Sequence, residues 1–492
     1  MMLTEPPSAQ DGNTLDALRG VLQSVGFTVE AIEERLGTGE LSLRRIDTAV
    51  HLRRLRAGDA FATITKLFLL GATVDAGDAG AALQPLGVER LVSTGLIELV
   101  HDTVRPLARL APHGDYYVTS DLDARDTCFD YVPGIQAPSV TLAKLAVRRR
   151  VESALDLGTG CGIQALLAAK HADRVVASDV NPRALAFAEF NALLNGIDGI
   201  DFRLGAQFEP VEGERFDLIV SNPPYVISPD ASYAYRDNDS PADELCRSIV
   251  HDAAGFLTNG GFAHVLVSWS HDPGGDWAAP LEEWLAGDCD AWLLHYRTND
   301  PLTHAASWLR PLGETDPTAY ERALDRWTGH LSELGIDAIG YGAVVLRGRA
   351  RGRRWIRRDP LPLDRLEPAG DQTLRVFAGQ DLLERVSDSE LLDTCLVLTP
   401  EHAVEQQLEA IDGGFSVRAQ TLELTDGFCT RVGVDRHTAS LLPHLDGRPL
   451  RDAFAAAEIT FDLGDDEHAA YVPAALAVVR QLLGLGFLVE AR

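Results

Sequence analysis

The chain has 492 residues, which is too long for one hydrophobic core, so we expect about two to four domains. Its 46% apolar content favours a folded protein, and its net charge of −29 disfavours bulk binding to nucleic acid phosphates. Six scattered cysteines without a C-x-x-C pair argue against a disulfide framework and a zinc site, so we expect no metal. The N-terminus shows no signal-peptide pattern and FATITKLFLLGA is too short to span a bilayer, which predicts a soluble, cytoplasmic protein without a membrane partner.

Residues 1–125 are predicted to form a helical, winged-helix-like N-terminal domain. Helical spacing recurs through NTLDALRGVLQSVG, TVEAIEERLG and SLRRIDTAVHLRRLR, and VERLVSTGLIELV is followed by β-like stretches with proline and glycine turns. A module of this kind either meets a partner or packs on its neighbouring domain, and the sequence leaves both open.

Residues 126–358 alternate strand and helix patterns, which is typical of a mostly parallel sheet with crossover helices. The strand candidates are ESALDLG, DRVVASD, IDFRLG, FDLIVSN and FAHVLVSW. A further strand, CDAWLLHYR, and a helical insert, AYERALDRWTGHLSELG, follow. The last two β-like stretches, GAVVLRGR and RRWIRR, are predicted to pair as a hairpin at the edge of the sheet.

Residues 359–492 are predicted to form an acidic C-terminal α+β domain, with a winged-helix-like arrangement as an alternative. From residue 361 to the end there are 10 arginines and 23 acidic residues, a net charge of −13. The segment ends in the order helix, helix, strand.

A glycine-rich motif, LDLGTGCG at 155–162, follows the first strand of the alternating region. Glycines at 158, 160 and 162 allow a sharp turn and a close approach of the backbone to a ligand, with free N–H groups at a helix start. Ile163 replaces the third glycine of a dinucleotide-binding G-x-G-x-x-G, which disfavours a nicotinamide enzyme. Asp179 ends the next strand, where an acid can accept from two ribose hydroxyls, so the pattern favours a ligand with a ribose and no pyrophosphate.

These residues resemble the class I S-adenosylmethionine-dependent methyltransferases, which implies a Rossmann-like α/β fold with a seven-stranded sheet and S-adenosyl-L-methionine as cofactor. The resemblance implies that the cofactor lies against Asp156, Gly158, Thr159, Gly160, Gly162, Asp179, Val180 and Asn181. Many members carry an acid after the third strand that holds the adenine amino group. Here LGAQF stands in that place, so Gln207 or a backbone carbonyl would make the contact.

The fourth strand, FDLIVS, leads into Asn222, Pro223, Pro224 and Tyr225. Proline fixes φ, lacks an N–H and pushes the preceding residue into an extended conformation, so the Asn222 amide and the Pro223 carbonyl are held as a stiff pair of acceptors. Two fixed acceptors suit a planar NH₂ group, and Tyr225 offers a ring for stacking. Acceptors that strengthen as the nitrogen gains positive character stabilise the transition state of a poor nucleophile.

The NPPY sequence resembles methyltransferases that act on planar nitrogens: the HemK/PrmC glutamine methylases, the N6-adenine methylases and the ribosomal guanine-N2 enzymes. The resemblance covers roughly residues 128–350. It implies catalytic roles for Asn222, Pro223, Pro224 and Tyr225, with Asn222 also beside the cofactor. Tyr131, Pro133, Gln136 and Thr141 are candidate lid residues, although an ordinary linker also explains that stretch. Beyond NPPY, the candidate acceptor-binding residues are Tyr233, Tyr235, Arg236 and Asp237, with a solvated loop as the alternative.

The sequence therefore predicts an S-adenosylmethionine-dependent N-methyltransferase that acts on an amide or amino nitrogen, with a glutamine-like side chain in a protein or peptide as the favoured acceptor. One alternative is an RNA or DNA base methyltransferase that would use the seven arginines of 347–358 on phosphates. A non-catalytic adaptor and a methylase of small natural products are further alternatives.

Overall fold

A computed structural model of the chain describes residues 5–8, 12–38, 47–56, 58–122, 129–230, 242–287, 289–349, 354–459 and 465–491. The chain divides into two compact units. The first combines Met1–Leu142 with Arg150–Pro360, and the second combines Ala143–Arg149 with Leu361–Arg492. In the described part of the chain, no helix is both long and apolar enough to cross a bilayer.

The first unit begins with short helices and a small antiparallel sheet in the order β1-β3-β2. The first helix buries an apolar stripe that includes Leu18 and Leu22, and Phe27 is buried in the connection that follows it. The second helix starts behind Thr28, whose hydroxyl accepts from the Ala31 N–H. The elements are α1 (Gly12–Ser24), α2 (Val29–Leu36), α3 (Thr48–Arg54), α4 (Ala60–Ile64), a π-helical turn (Thr65–Leu69), β1 (Val74–Asp75), α5 (Ala76–Ala82), α6 (Val88–Val92), β2 (Ile97–Val100) and β3 (Thr103–Pro106).

A central sheet follows, preceded by a two-stranded hairpin of β4 and β5. The strand order of the central sheet is β13-β11-β12-β10-β9-β6-β7-β8, and β12 is antiparallel to both of its neighbours. The elements are β4 (Ala108–His113), β5 (Tyr116–Asp121), α7 (Ala137–Leu145), β6 (Val151–Leu157), α8 (Ile163–Ala168), β7 (Ala172–Asp179), α9 (Pro182–Leu194), β8 (Ile200–Leu204), β9 (Phe216–Ser221), α10 (Glu244–Ala253), β10 (Leu257–His271), α11 (Ala279–Trp284), β11 (Cys289–Asn299), α12 (Pro301–Gly313), α13 (Pro317–Glu333), β12 (Ala338–Gly348) and β13 (Ile356–Pro360). Short 3-10 turns cover Glu209–Val211 and Ala254–Phe256.

The α/β fold predicted from the sequence is confirmed, and two details of the sheet differ. The described sheet has eight strands rather than seven, because β13 adds an edge strand. The predicted hairpin of GAVVLRGR with RRWIRR is wrong: β13 pairs in parallel with β11, since β12 is already flanked by β10 and β11. The buried Asp290 carboxylate holds this arrangement by accepting from the Trp355 N–H at 3.0 Å.

Two helices between β11 and β12 carry clear start signals. Both α12 and α13 begin with an aspartate followed by proline, and the Asp300 and Asp316 carboxylates each accept from a backbone N–H in the first turn at 3.0 Å. The stretch AYERALDRWTGHLSELG predicts one helix, which corresponds to α13, and the structure adds α12 before it.

The second unit is an α+β arrangement that includes the end of α7. The Lys144 carbonyl accepts from the Ala369 N–H at 2.7 Å, and the Lys144 side-chain ammonium donates to the Leu366 carbonyl. The elements are α14 (Gly370–Arg385), α15 (Asp388–Leu392), β14 (Cys395–Leu398), β15 (His402–Ile411), β16 (Gly414–Leu424), β17 (Arg431–Val434), α16 (Arg436–Leu441), a 3-10 turn (Leu442–His444), β18 (Asp446–Pro449), α17 (Leu450–Glu458), α18 (Asp465–Leu485) and β19 (Leu488–Glu490), with sheets β18-β14-β19 and β15-β16-β17.

Candidate active site

The glycine loop joins β6 to α8 and has two kinds of glycine. A Cβ atom on Gly162, where φ is +87°, would lie 2.9 Å from the Ala188 Cβ of α9, so this glycine permits close helix packing. Gly158 and Gly160 also have positive φ, but a Cβ there would meet no described atom within 4 Å. These two positions therefore border open space at the carboxyl end of β6.

Asp156, the penultimate residue of β6, fixes the shape of this loop. Its buried carboxylate accepts from the Thr159 hydroxyl at 2.6 Å and from the Ala165 N–H of α8 at 2.9 Å. The Gly158 and Thr159 N–H groups both donate to the Ser178 carbonyl of β7. The described contacts of Asp156 and Thr159 thus hold the loop together from inside.

Asp179 ends β7 beside this loop. One carboxylate oxygen accepts from the Gly160 N–H and the other from the Asn181 N–H, each at 2.9 Å. Burial raises the pKa of the Asp179 carboxyl, and the backbone donors partly offset that shift. A carboxylate oxygen has room for further donors, so Asp179 can still accept from a diol that enters the open space.

The next residues place apolar and amide groups at the same edge of the sheet. Val180 is 56% exposed, and Leu204, at the end of β8 and paired with Asp179, is 60% exposed. Asn181 caps α9, and its amide also donates to the Asp130 carbonyl at 2.9 Å. Leu204 was not predicted as a site residue, although its position at the end of a strand pattern was a usable signal.

Gln207 follows β8 with a φ of +46°, a left-handed conformation for a residue with a side chain. Its Oε1 atom accepts from the Ser248 hydroxyl of α10 at 3.1 Å. Its side-chain oxygen therefore points toward α10, and the predicted adenine contact of Gln207 stays a prediction.

Asn222 lies directly beside the glycine loop. Ser221, the last residue of β9, pairs with Leu157 of β6, and its hydroxyl donates to the Leu157 carbonyl at 2.9 Å. Asn222 and Gly158 are thus the next residues of two neighbouring parallel strands, at the point where the strand order reverses and where open α/β sheets bind ligands. The Asn222 Oδ1 atom is buried and makes no hydrogen bond with any described residue. A buried acceptor without a partner is costly, so this atom is suited to an external donor.

Pro223 is buried, and Tyr225 directly follows residues 222–224, which we call the acceptor bracket. The Tyr225 ring meets Trp308 of α12 edge to face, with centroids 6.4 Å apart and planes at 68°. The Ser268 hydroxyl of β10 donates to the Tyr225 carbonyl. Burial raises the pKa of Tyr225 well above its ordinary value, so the phenol is neutral.

The sequence did not predict a network of hydrogen-bonded side chains next to the acceptor bracket. Trp308 Nε1 donates to the Tyr341 hydroxyl at 3.4 Å, Tyr341 contacts His304 Nδ1, and His304 Nε2 lies 2.8 Å from the Ile227 carbonyl. His304 is fully buried on α12. In the sequence, the one indication of a buried polar group here was a histidine within the largely apolar stretch PLTHAASWL. This hydrogen-bonded network anchors the segment that follows Asn222.

The structure describes the predicted lid residues but not the predicted acceptor-binding residues beyond Tyr225. The segment after 129 is tied down by the Val132 N–H, which donates to Asp121 at 2.8 Å, while Asp121 also pairs with Arg183. Gln164 of α8 donates to the Ser139 carbonyl at 2.7 Å. These contacts place the stretch that contains Tyr131, Pro133, Gln136 and Thr141 against the glycine loop region, and lid function stays a prediction. Tyr233, Tyr235, Arg236 and Asp237 lie outside the described residues.

The arginines of 347–358 are largely engaged by acids. Arg347 and Arg349 both bind the buried Asp290, at 2.6 and 2.9 Å, and Arg358 binds Asp276 at 2.6 Å. Arg357 pairs with Asp359. Four of the five described arginines in this stretch are therefore neutralised within the protein.

Comparison with protein families gives three matches along the chain. The family model described as Methyltransferase small domain matches residues 136–273. Two models described as Domain of unknown function, DUF7059 and DUF7782, match residues 24–107 and 375–490.

Among curated proteins, a release factor glutamine methyltransferase of Xylella fastidiosa is 34% identical over 168 residues, which cover 32% of this chain and 58% of the relative. The chain thus spans little more than half of that relative. A putative protein N5-glutamine methyltransferase of Methanocaldococcus jannaschii is 31% identical over 138 residues, which cover 26% of this chain and 68% of the relative. Among solved structures, an rRNA methylase from Streptococcus thermophilus is 16% identical with a TM-score of 0.26, and the match covers 44% of this chain and 99% of the methylase.

Proposed function

We propose that this chain, which belongs to the class I S-adenosylmethionine-dependent N-methyltransferases related to HemK/PrmC, methylates the side-chain amide nitrogen of a glutamine in a protein. The observation that carries the proposal is the buried Oδ1 atom of Asn222, which has no partner among the described residues and lies beside the glycine loop. An acceptor atom that is shielded from solvent and has no hydrogen-bond partner among the described residues is available to bind an incoming N–H group.

The residues around the loop fit S-adenosylmethionine. Cβ atoms on Gly158 and Gly160 would point into space that is free of described atoms, so a ligand can approach the backbone there. Asp179 can accept from the ribose hydroxyls, and the exposed Val180 and Leu204 side chains offer an apolar surface for the adenine ring. Asp156 and Thr159 would contribute by keeping the loop in shape.

The chain's own residues would act by holding and orienting the acceptor. Bound S-adenosylmethionine supplies an electrophilic methyl group. The Asn222 Oδ1 atom and the Pro223 carbonyl would accept from the two hydrogens of the amide, since Pro223 and Pro224 fix the backbone and offer no competing N–H. These hydrogen bonds strengthen as the nitrogen gains positive character, which lowers the barrier.

His304 does not serve as a base in this scheme. Its Nε2 atom must donate to the Ile227 carbonyl, because a carbonyl oxygen only accepts, and its Nδ1 atom accepts from Tyr341. Burial lowers the pKa of His304 to about 4. The proton of the methylated amide would therefore leave to solvent after the transfer.

Charge supports a protein acceptor over a nucleic acid. The chain carries a net charge of −29, and four of the five described arginines of 347–358 pair with acidic side chains. Phosphate contacts need free cations. The names of the two curated relatives also refer to glutamine methylation of proteins.

The test is methyl transfer from labelled S-adenosylmethionine in an extract of the protein's own cell. The extract is divided and treated with nuclease or with protease before incubation. We expect label in a protease-sensitive, nuclease-resistant product, with mass spectrometry placing one methyl group on a glutamine side chain.

Asn222→Ala should abolish the labelling, whereas Gln23→Ala, which removes an exposed amide from α1, should leave it unchanged. Label that disappears with nuclease treatment would overturn the glutamine proposal in favour of an RNA or DNA base. Full labelling by Asn222→Ala would overturn the acceptor role of Asn222.

A further inference from the structure

The hairpin formed by β15 and β16 in the second unit carries a cluster of exposed apolar side chains. Sixteen large hydrophobic side chains are exposed in the described part of the chain, and five of them lie within residues 404–417. Phe415 is 73% exposed and Leu408 56% exposed. Scattered exposed hydrophobics need no explanation, but a contiguous cluster marks an interaction site.

The register places most of these side chains on one face. Leu408 pairs with Val417 and Ala410 pairs with Phe415, and Val404 lies on the same side of β15 because alternate residues share a face. The opposite face carries Glu405, Gln407, Glu409 and Ile411. The hairpin is thus amphipathic, like a sheet that packs on a core. Leu422, which pairs with Val404, is buried, but the apolar face is exposed farther out, at Leu408, Phe415 and Val417.

The outer half of the hairpin is a two-stranded ribbon. β17 pairs with β16 only from Gln420 to Glu423, so residues 407–417 have no third strand among the described residues. A ribbon of two strands is marginally stable by itself, and an apolar face with free edges invites association. These properties fit a docking arm that is completed by a partner.

Charge selects the kind of partner. Residues 402–424 contain four acidic residues and one arginine, within a chain of net charge −29. Arg431 of β17 pairs with Glu405 and Glu423, so the acids near the tip of the hairpin that pair with no described cation are Glu409 and Asp412. Two copies of the hairpin would bring these tip acids together in two chains of the same strongly negative charge, which disfavours self-association. A cationic partner would gain from the same field.

We propose that the apolar face of the β15–β16 hairpin binds a basic protein, through an apolar patch on that protein bordered by lysine or arginine side chains. The apolar contact supplies the stability of the complex, and Glu409 and the turn residue Asp412 attract and orient the partner at the tip of the hairpin. This docking function is separate from methyl transfer and does not depend on Asn222.

The test uses the full chain with a photo-crosslinking amino acid in place of Phe415, expressed in its own cell. We expect one predominant crosslinked protein, identified by mass spectrometry, with a strongly positive net charge. With that protein purified, the double variant Leu408→Ser and Val417→Ser should weaken binding at least ~10-fold. Added salt should also weaken it.

Ile411→Ser is the matched control, because it removes an exposed apolar side chain from the opposite face of the same hairpin. Ile411→Ser and Asn222→Ala should bind the purified partner as tightly as the parent protein does. The circular dichroism spectra of all variants should match that of the parent. The proposal is overturned by an acidic crosslinked partner, by the absence of a crosslink, by an equal loss of binding in Ile411→Ser, or by sedimentation showing that the hairpin joins two copies of the chain.

Discussion

The Nε2 atom of His304 lies 2.8 Å from the carbonyl oxygen of Ile227, five residues beyond Asn222. The contact fixes the tautomer of His304, which then accepts from Tyr341 through Nδ1. A buried, neutral histidine therefore links α12 and β12 to the segment that follows the predicted acceptor bracket.

This histidine predicts a pH dependence of stability. Burial lowers the pKa of folded His304 to about 4 from an ordinary value of 6.5, so the unfolded chain binds the proton first as the pH falls. The free energy of unfolding should be insensitive to His304 above pH 6.5 and should fall by ~1.4 kcal/mol per pH unit between about 6.5 and about 4. Urea unfolding at a series of pH values measures this slope.

His304→Gln keeps an N–H donor and an acceptor but removes the titration. Its stability should therefore vary less over the same pH range, whereas replacing the exposed His101 by asparagine should leave the parent slope. Equal slopes in the parent and His304→Gln would contradict the assignment.

Asn222 and Asp179 should affect different steps. Asn222→Ala removes a transition-state acceptor and should lower kcat at least ~100-fold with little change in cofactor affinity. Asp179→Ala removes the proposed ribose acceptor and should weaken cofactor binding first. Calorimetric titration with S-adenosylmethionine and steady-state kinetics separate the two effects. Retention of kcat in Asn222→Ala, or unchanged cofactor affinity in Asp179→Ala, would remove the corresponding role.

Asn191 should be important for stability. Its side chain is fully buried on α9, accepts from the Thr119 N–H at 2.7 Å and donates to the Thr119 and Cys161 carbonyls. Asn191→Leu would leave these backbone groups of β5 and the glycine loop unpaired, so we expect a loss of about 3 kcal/mol in the free energy of unfolding.

Leu193→Ala, on the exposed side of the same helix, should cost less than about 1 kcal/mol. Chemical denaturation measures both variants. Similar losses in the two would contradict the asparagine contacts as the cause, because both substitutions raise intrinsic helix propensity and neither loss could come from it.

Asp290 should be essential where β13 joins the sheet. Its fully buried carboxylate binds Arg347 and Arg349, so Asp290→Ala would leave a buried guanidinium without its acid and should cost about 3–5 kcal/mol. The double variant Asp290→Leu and Arg347→Met should recover part of that loss, because it removes the acid together with the more deeply buried of its two arginine partners. No recovery in the double variant would argue against an uncompensated charge as the cause, and thermal unfolding distinguishes the outcomes.

Local pattern determined the alternating strands and helices, the glycine loop and the position of Asn222 at a strand end. These features follow from side-chain periodicity, from the conformational freedom of glycine and from the restriction of proline, all of which are properties of neighbouring residues. The α/β fold could be predicted on that basis, whereas the expectation that Asn222 lies beside the cofactor loop came from the family resemblance.

Only the tertiary structure decided which distant groups meet. The pairing of β13 with β11, the neutralisation of Arg347 and Arg349 by Asp290, and the chain from Trp308 through His304 to Ile227 each join residues far apart in sequence. The amphipathic hairpin also had to be seen in three dimensions, because its pattern alone predicts a buried face. Burial and hydrogen-bond partners depend on the whole fold, and for that reason the periodicity of one segment does not determine them.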